Sequence, residues 1–191
     1  MKLTALALVC LAPFAANWSN ASPVPQDAAP KQTARHATVI FLRHAEALPR
    51  TRGNQNPALA KDGQARAGRW AKTLRAAGVT KVYATELIRT QQTAAPLAKA
   101  LGLEVQRYRA GKSQAFAESL RTLKNGEVVV VVGHSNTVPQ MAAVLGGKLT
   151  GLDKKGHLQE TEHDRMIVQH LGAAKEGAPM RAAQTLDFRV E

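Results

Sequence analysis

Short continuous apolar runs alternate along the chain with longer stretches in which apolar residues recur at helical spacing. The continuous runs are rich in β-branched residues and predict buried strands, and the five consecutive valines within 127–132 indicate a central one. The helically spaced stretches end at glycines such as Gly78 and Gly102. The predicted strands are 38–42, 79–84, 103–108, 127–132, 165–171 and 180–189, and the predicted helices are 62–77, 86–101, 113–124 and 137–145.

This order of elements predicts a single α/β domain over residues 38–191. A chain of 191 residues, 45% of them apolar, is long enough for one domain with its own core and too short for several. Strands that alternate with helices run parallel and are covered on both faces. We therefore expect a three-layer αβα sandwich with a mostly parallel central sheet, in which Thr85 caps the second helix.

The first residues have the pattern of a secretory signal peptide. Lys2 supplies a basic start, Leu3 to Ala16 are mostly apolar, and Ser19 and Ala21 are small residues spaced as in a cleavage site. We expect a signal peptide over 1–21, a disordered leader rich in Pro, Ala, Gln and Thr over 22–37, and a periplasmic or secreted bacterial protein.

The chain is basic, with 26 Lys and Arg against 14 Asp and Glu and a formal charge of +12. Removal of 1–21 would leave +11 and no cysteine, since Cys10 lies in the signal peptide, so a disulfide framework and a cysteine-based zinc site are excluded. Aromatic residues make up 4%, which argues against stacking of nucleic-acid bases. The charge therefore indicates an anionic substrate or peripheral association with an anionic envelope, and no nucleic acid.

Three polar segments follow predicted strands, where α/β sheets bind their ligands. Arg43 and His44 come directly after the first strand, and Arg89 lies in a segment, 85–94, that opens a helix after the second. His134 stands in the segment 133–137, directly after the strand of five valines. Two histidines and two arginines would thus meet at one edge of the sheet.

These segments, Arg43-His44-Ala45-Glu46, 85–94 and Gly133-His134-Ser135-Asn136-Thr137, occur in one order over about residues 39–168. The pattern resembles the histidine phosphatase (phosphoglycerate mutase-like) superfamily, in its short single-domain form without a cap insertion. The resemblance implies that His44 is the nucleophile that becomes phosphorylated. It also implies that Arg43, Arg89 and His134 surround the transferred phosphoryl group.

Phosphoryl chemistry suits these residue types independently. A neutral imidazole attacks phosphorus without first losing a proton, and guanidinium groups bind phosphate oxygens in pairs while staying charged. The reaction requires no cofactor and no metal. Ser135 and Asn136 are interpreted as phosphate-pocket hydrogen bonders, since Ser135 lacks the Gly-x-Ser-x-Gly pattern of a serine nucleophile.

The sequence departs from the family at two points. Ala45 stands where the family most often has glycine, and a positive φ there would be strained. The interval between Pro96 and Val128 leaves no room for the cap that supplies a glutamate acid in mutases, so hydrolysis is favoured over mutase activity. Glu118 is the candidate general acid in that interval, although its position within a predicted helix favours a surface role. The His- and acid-rich segment 157–164 is interpreted as a solvated loop, since its spacing matches no helical pair of metal ligands.

The sequence favours an exported phosphomonoester phosphatase that acts through a phosphohistidine at His44 on a phosphorylated small molecule or an envelope phosphate group. Two enzymatic alternatives stay open: a phosphohistidine-protein phosphatase and an envelope phosphatase of the lipopolysaccharide type. An inactive module that binds anions is the non-enzymatic alternative.

Overall fold

The computed structural model describes residues 35–173 and 177–190, so the predicted signal peptide and all but 35–37 of the predicted leader lie outside the described residues. Within the described ranges, no helix combines the length and the apolar character that crossing a membrane requires. The strands are β1 (His36–Arg43), β2 (Lys81–Thr85), β3 (Val105–Tyr108), β4 (Val128–Gly133), β5 (Arg165–Gly172) and β6 (Arg181–Arg189). The helices are α1 (Lys61–Leu74), α2 (Ile88–Leu101), α3 (Ser113–Leu120) and α4 (Thr137–Val144), and a 3-10 turn at Ala110–Lys112 precedes α3.

The six strands form one sheet in the order β3-β2-β4-β1-β5-β6. The four strands β3, β2, β4 and β1 are parallel, whereas β5 pairs antiparallel with β1 and β6 pairs antiparallel with β5. The valine-rich β4 lies between β1 and β2, as its apolar sequence predicts. The predicted αβα architecture with a mostly parallel sheet is confirmed.

Consecutive residues of β4 face opposite sides of the sheet and build two separate cores. Val129 and Val131 pack with Phe41, Met141 and other residues on the face that α3 and α4 cover. Val130 and Val132 pack on the other face, which α1 and α2 cover, in a cluster that includes Trp70 and Leu97. Burial on both faces explains why β4 has no alternation of apolar and polar residues.

Several element boundaries differ from the predicted ones. β1 begins at His36 rather than 38, because its first residues continue the antiparallel ladder with the end of β5. α2 begins at Ile88, with Leu87 and not Thr85 at the N-cap position, because the Thr85 hydroxyl is engaged elsewhere. α3 ends at Leu120, since the following residues form turns. The predicted end of α2 is confirmed: Gly102 adopts a left-handed conformation with a φ of 66° that favours glycine.

Candidate active site

The carboxyl ends of β1, β2 and β4 lie at one edge of the sheet, and the loops after them enclose a cavity of about 690 Å³. The backbone N–H of His44 donates to the carbonyl of Gly133 at 2.9 Å and thereby joins the loops after β1 and β4. The structure brings Arg43, His44, Arg89 and His134 together in the wall of this cavity. The imidazole rings of His44 and His134 meet edge to face, with 5.4 Å between their centroids.

His44 has one ring nitrogen fixed and the other available. Its Nδ1 lies 2.8 Å from the carbonyl oxygen of Ala45, and because a carbonyl only accepts, Nδ1 carries the proton. Burial lowers the pKa of His44 to about 3, and the positive charges of Arg89 and Arg43 act in the same direction. The hydrogen bond to Ala45 opposes these effects without cancelling them. His44 is therefore neutral near pH 7, with an unprotonated Nε2.

Arg89 lies in the first turn of α2 with only 3% of its surface exposed. Among the residues that the structure describes, no carboxylate lies within ion-pair distance of Arg89, and its buried Nη1 has no hydrogen-bond partner. Burial lowers the pKa of this guanidinium, and the nearby charges of Arg50 and Arg43 lower it further. An unpaired cation held out of water is costly in free energy, and an anionic ligand would remove that cost.

Arg43, by contrast, is already engaged by the loop before β5. Its Nη1 donates to the carbonyl oxygens of Gln159 and Glu160 at 2.7 and 2.9 Å, and its Nη2 donates to the Glu160 carboxylate at 3.0 Å. The Glu160 side chain is 89% exposed, so a phosphate oxygen can displace its carboxylate at little cost. Arg43 is thus positioned by backbone carbonyls and can exchange one anionic partner for another.

A pair of threonine hydroxyls holds His134. The Nε2 atom of His134 lies 3.1 Å from Thr85 Oγ1, which lies 2.7 Å from Thr90 Oγ1. Burial lowers the pKa of His134 to about 4, and the charge of Arg89 contributes in the same direction. The preceding Gly133 is required by close packing, because a Cβ at that position would lie 2.9 Å from the Thr137 hydroxyl. His134 is consequently a neutral, fixed imidazole in the cavity wall.

Ser135 and Asn136 also line the cavity, at the start of α4. Their role as phosphate-pocket hydrogen bonders stays a prediction. The strain considered at Ala45 does not arise: no non-glycine residue in the described ranges has a positive φ. Ala45 is instead fully buried against Leu59 and Ala67, and its N–H donates to the Thr93 hydroxyl at 3.0 Å.

The structure does not bring Glu118 to the cavity. α3 buries Ala117 and Leu120, which places the Glu118 side chain toward solvent with 59% of its surface exposed. There its carboxylate pairs with the Arg121 guanidinium at 2.7 Å. Glu118 is therefore not in a position to protonate a leaving group bound beside His44.

Three residues with charged or titratable side chains line the cavity without having been predicted from the sequence, namely Arg50, Glu160 and His163. The interpretation of 157–164 as a solvated loop is wrong in part, because His163 Nδ1 donates to the carbonyl of His44 at 2.8 Å. Glu162 is also buried, where it pairs with Arg165. These residues could have been predicted only from the direction of β5. Because β5 pairs antiparallel with β1, the beginning of β5 lies beside the carboxyl end of β1. In the described part of the chain, no group of three or more His, Cys, Asp or Glu side chains could hold a metal ion.

Part of the chain matches a known protein family. Residues 39–110 match the family model of the histidine phosphatase superfamily, branch 1, the family that the sequence motifs resemble. No sequence among curated proteins matches the chain.

Solved structures share the fold at low sequence identity. The phosphohistidine phosphatase candidate SixA from Nakamurella multipartitia is 20% identical, with a TM-score of 0.54 over 82% of this chain and 98% of that chain. The protein histidine phosphatase SixA complexed with tungstate is 16% identical, with a TM-score of 0.53 over 78% and 96%. A mycobacterial glucosyl-3-phosphoglycerate phosphatase complexed with VO3 is 15% identical, with a TM-score of 0.57 over 82% and 100%.

Proposed function

We propose that this chain, whose residues 39–110 belong to the histidine phosphatase superfamily, hydrolyses phosphomonoesters through a phosphohistidine at His44. One observation carries the proposal: a neutral histidine with a free Nε2 shares a cavity with Arg89, a buried arginine that lacks an anionic partner in the described ranges. The first group can attack phosphorus, and the second can bind the oxygens of the phosphoryl group.

In the first step, the lone pair of His44 Nε2 forms a bond to phosphorus. The bond between phosphorus and the leaving oxygen breaks, and its electron pair stays on that oxygen. Arg89 and Arg43 neutralise the phosphoryl oxygens, with Arg43 exchanging the Glu160 carboxylate for the substrate. The Nδ1–H bond to Ala45 holds the ring and stabilises the positive charge that the attack creates.

In the second step, a water oxygen attacks phosphorus on the side that the leaving group has vacated. The bond between phosphorus and Nε2 breaks, its electron pair returns to the nitrogen, and His44 is neutral again. One proton of the water stays on the product phosphate and the other passes to solvent. His134, fixed by Thr85, lies beside His44 and can donate a hydrogen bond to the phosphoryl oxygens.

The candidate substrates differ in how much their leaving groups need a proton from an acid in the cavity. Among the described side chains that line the cavity, Glu160 is the sole carboxylate, and it accepts from Arg43. Substrates whose leaving groups need little acid assistance should therefore react fastest, which supports phosphohistidine proteins as a second candidate substrate class beside phosphomonoesters. The described segment between α2 and β4 forms only β3, the 3-10 turn and α3 and contributes no cap to the cavity, and for this reason we propose hydrolysis rather than mutase activity.

The proposal is tested with 4-nitrophenyl phosphate and a matched pair of variants. His44→Ala should abolish hydrolysis, while His170→Ala, at an exposed position of β5, should retain it. Vanadate, which mimics pentacoordinate phosphorus, should inhibit the wild type. Full activity of the His44 variant would refute the mechanism, and absence of hydrolysis together with phosphate binding would favour an inactive anion-binding module. A higher kcat/KM for a phosphohistidine peptide than for aryl phosphates would favour the second substrate class.

Export is a separate part of the proposal. It is supported by the basic start, the apolar segment and the small residues before Ser22 in the sequence. Protein recovered from a bacterial periplasm or culture medium should then begin at Ser22. A protein that keeps Met1 and stays in the cytosol would refute export without affecting the proposed chemistry. In an exported protein, the excess positive charge favours association with an anionic envelope and an envelope phosphate group as substrate.

A further inference from the structure

We infer that the cavity contains a second anion-binding subsite at Arg50, which receives an anionic group on the leaving group of the substrate, with Lys112 of the adjoining cavity as a further cation along the same path. The preferred substrate would then be a phosphomonoester whose leaving group combines an apolar body with a carboxylate or a further phosphate. This inference rests on the proposed phosphatase function and narrows its substrate class.

The cavity wall carries more positive charges than are needed to neutralise one phosphoryl group. Arg43, Arg50 and Arg89 line the cavity, and Glu160 is the one carboxylate among the described lining residues. A phosphoryl group bound by Arg43 and Arg89 leaves Arg50 without a counter-charge. No acidic side chain in the described ranges lies within ion-pair distance of Arg50 or Lys112.

Arg50 lies close enough to the phosphoryl-binding side chains to influence them. Burial is the main cause that lowers the pKa of Arg89 and the pKa of His134, and the positive charge of Arg50 lowers both further. Arg50 is itself exposed in the loop between β1 and α1, so its guanidinium can turn toward a ligand without losing an existing partner. The side chain is therefore suited to bind the part of the substrate that projects from the phosphoryl site.

The space for such a leaving group continues beyond His44 and His134. A second cavity of about 610 Å³ adjoins the first and shares Ala110, Gly111, Asn136 and Thr137 with it. Lys112 lines this second cavity at the end of the 3-10 turn. Cavities of this size bind whole organic ligands, far larger than a phosphoryl group. The combined site thus has cationic side chains at two places away from the nucleophile.

One wall of the first cavity is apolar. Ala47, Leu48, Pro57 and Leu87 line it, and Leu48 keeps 50% of its surface exposed. Glu86 also lies near this rim, where its carboxylate accepts from the N–H of Ala110 at 2.9 Å. An apolar wall beside unpaired cations favours a leaving group with a hydrocarbon or aromatic body and an anionic substituent.

The test compares 4-carboxyphenyl phosphate with 4-carbamoylphenyl phosphate, a neutral analogue of the same shape. The measured quantity is the ratio of their kcat/KM values in the wild type, Arg50→Gln, Lys112→Gln and the control Arg52→Gln. Comparing the ratio between enzymes cancels the different reactivities of the two phenolate leaving groups. Arg52 lies in the same exposed loop but lines neither cavity, which makes it a matched control.

We expect Arg50→Gln to lower the carboxylate preference about tenfold, Lys112→Gln to lower it less, and Arg52→Gln to leave it unchanged. Added salt should reduce the preference in the wild type but have little effect in Arg50→Gln. A ratio that Arg50→Gln leaves unchanged overturns the subsite while the phosphatase function stands. Failure of the wild type to hydrolyse either of these substrates or 4-nitrophenyl phosphate overturns the proposed phosphomonoesterase function, and the subsite with it.

Discussion

Replacing Arg89 by methionine should stabilise the free protein while it strongly weakens phosphate binding. The guanidinium is 3% exposed, has no carboxylate within ion-pair distance in the described ranges, and leaves Nη1 without a hydrogen-bond partner. Methionine keeps the long, flexible shape of the side chain and removes the unpaired charge. A residue retained only for folding would give the opposite result, so the sign of the stability change distinguishes a binding role from a structural one.

The expected gain follows from the cost of burying one unsatisfied donor of a charged group. That cost is about 1–3 kcal/mol, which the substitution would recover as free energy of unfolding. For a domain of this size, each kcal/mol raises Tm by about 2–4 °C. Arg165→Met is the matched control, because Arg165 is 4% exposed but pairs with Asp187 and Glu162. Removing Arg165 leaves Asp187 without its cation, while Glu162 keeps Arg189, and should cost about 1–3 kcal/mol.

Urea unfolding with and without inorganic phosphate measures both properties in one experiment. Phosphate at about 100 times its wild-type Kd should stabilise the wild type by about 2.7 kcal/mol and should stabilise Arg89→Met much less, because Arg43 remains as the other phosphate-binding arginine. The variant should also lose at least about 100-fold in kcat/KM, as expected when a transition-state charge loses its stabilising partner. If Arg89→Met is destabilised by 1 kcal/mol or more, or is stabilised by phosphate as much as the wild type, the assignment of Arg89 to the phosphoryl group is wrong.

Three further predictions concern protonation, competition and positioning. Because folding lowers the pKa of His44 to about 3 and of His134 to about 4, the unfolded chain binds protons first as the pH falls below about 6.5. The free energy of unfolding should therefore decrease by about 1.4 kcal/mol per pH unit for each histidine between pH 6.5 and about 4, and urea titrations should show a smaller slope for His44→Gln. Glu160→Gln should strengthen inhibition by inorganic phosphate about two- to fivefold, because it removes the carboxylate that competes for Arg43; weaker inhibition would mean that this carboxylate orients the arginine. Thr85→Val should lower kcat about tenfold while Thr85→Ser retains it, and equal activity of the two would exclude a positioning role for the hydroxyl on His134.

The architecture was largely predictable because its signals are local. The five valines identify the buried central strand β4, and Gly102 ends α2 in the left-handed conformation that glycine favours. The start of α2 was missed because Thr85 has the composition of a cap, while its hydroxyl bonds to Thr90 and His134 instead. The choice between these partners depends on the loop after β4, which is distant in sequence.

Only those site residues that come directly after parallel strands could be predicted from the sequence. His44, Arg89 and His134 come after β1, β2 and β4, and the carboxyl ends of parallel strands meet at one edge. Glu160 and His163 reach the same edge from the loop before β5, and apolar periodicity does not reveal that β5 runs antiparallel to β1. Glu118 was considered as the acid from its place in the chain, whereas the packing of α3 decides which side of that helix faces solvent.

A covalent phosphohistidine at His44 can be trapped by rapid-quench labelling. Wild-type protein is mixed with a phosphorus-labelled aryl phosphate, quenched in alkali and digested, and the phosphopeptides are identified by mass spectrometry. We expect an alkali-stable, acid-labile phosphoryl group on Nε2 of His44, formed and lost fast enough to support turnover and absent from His44→Ala. Turnover without this intermediate, or label on another residue, would contradict the proposed mechanism.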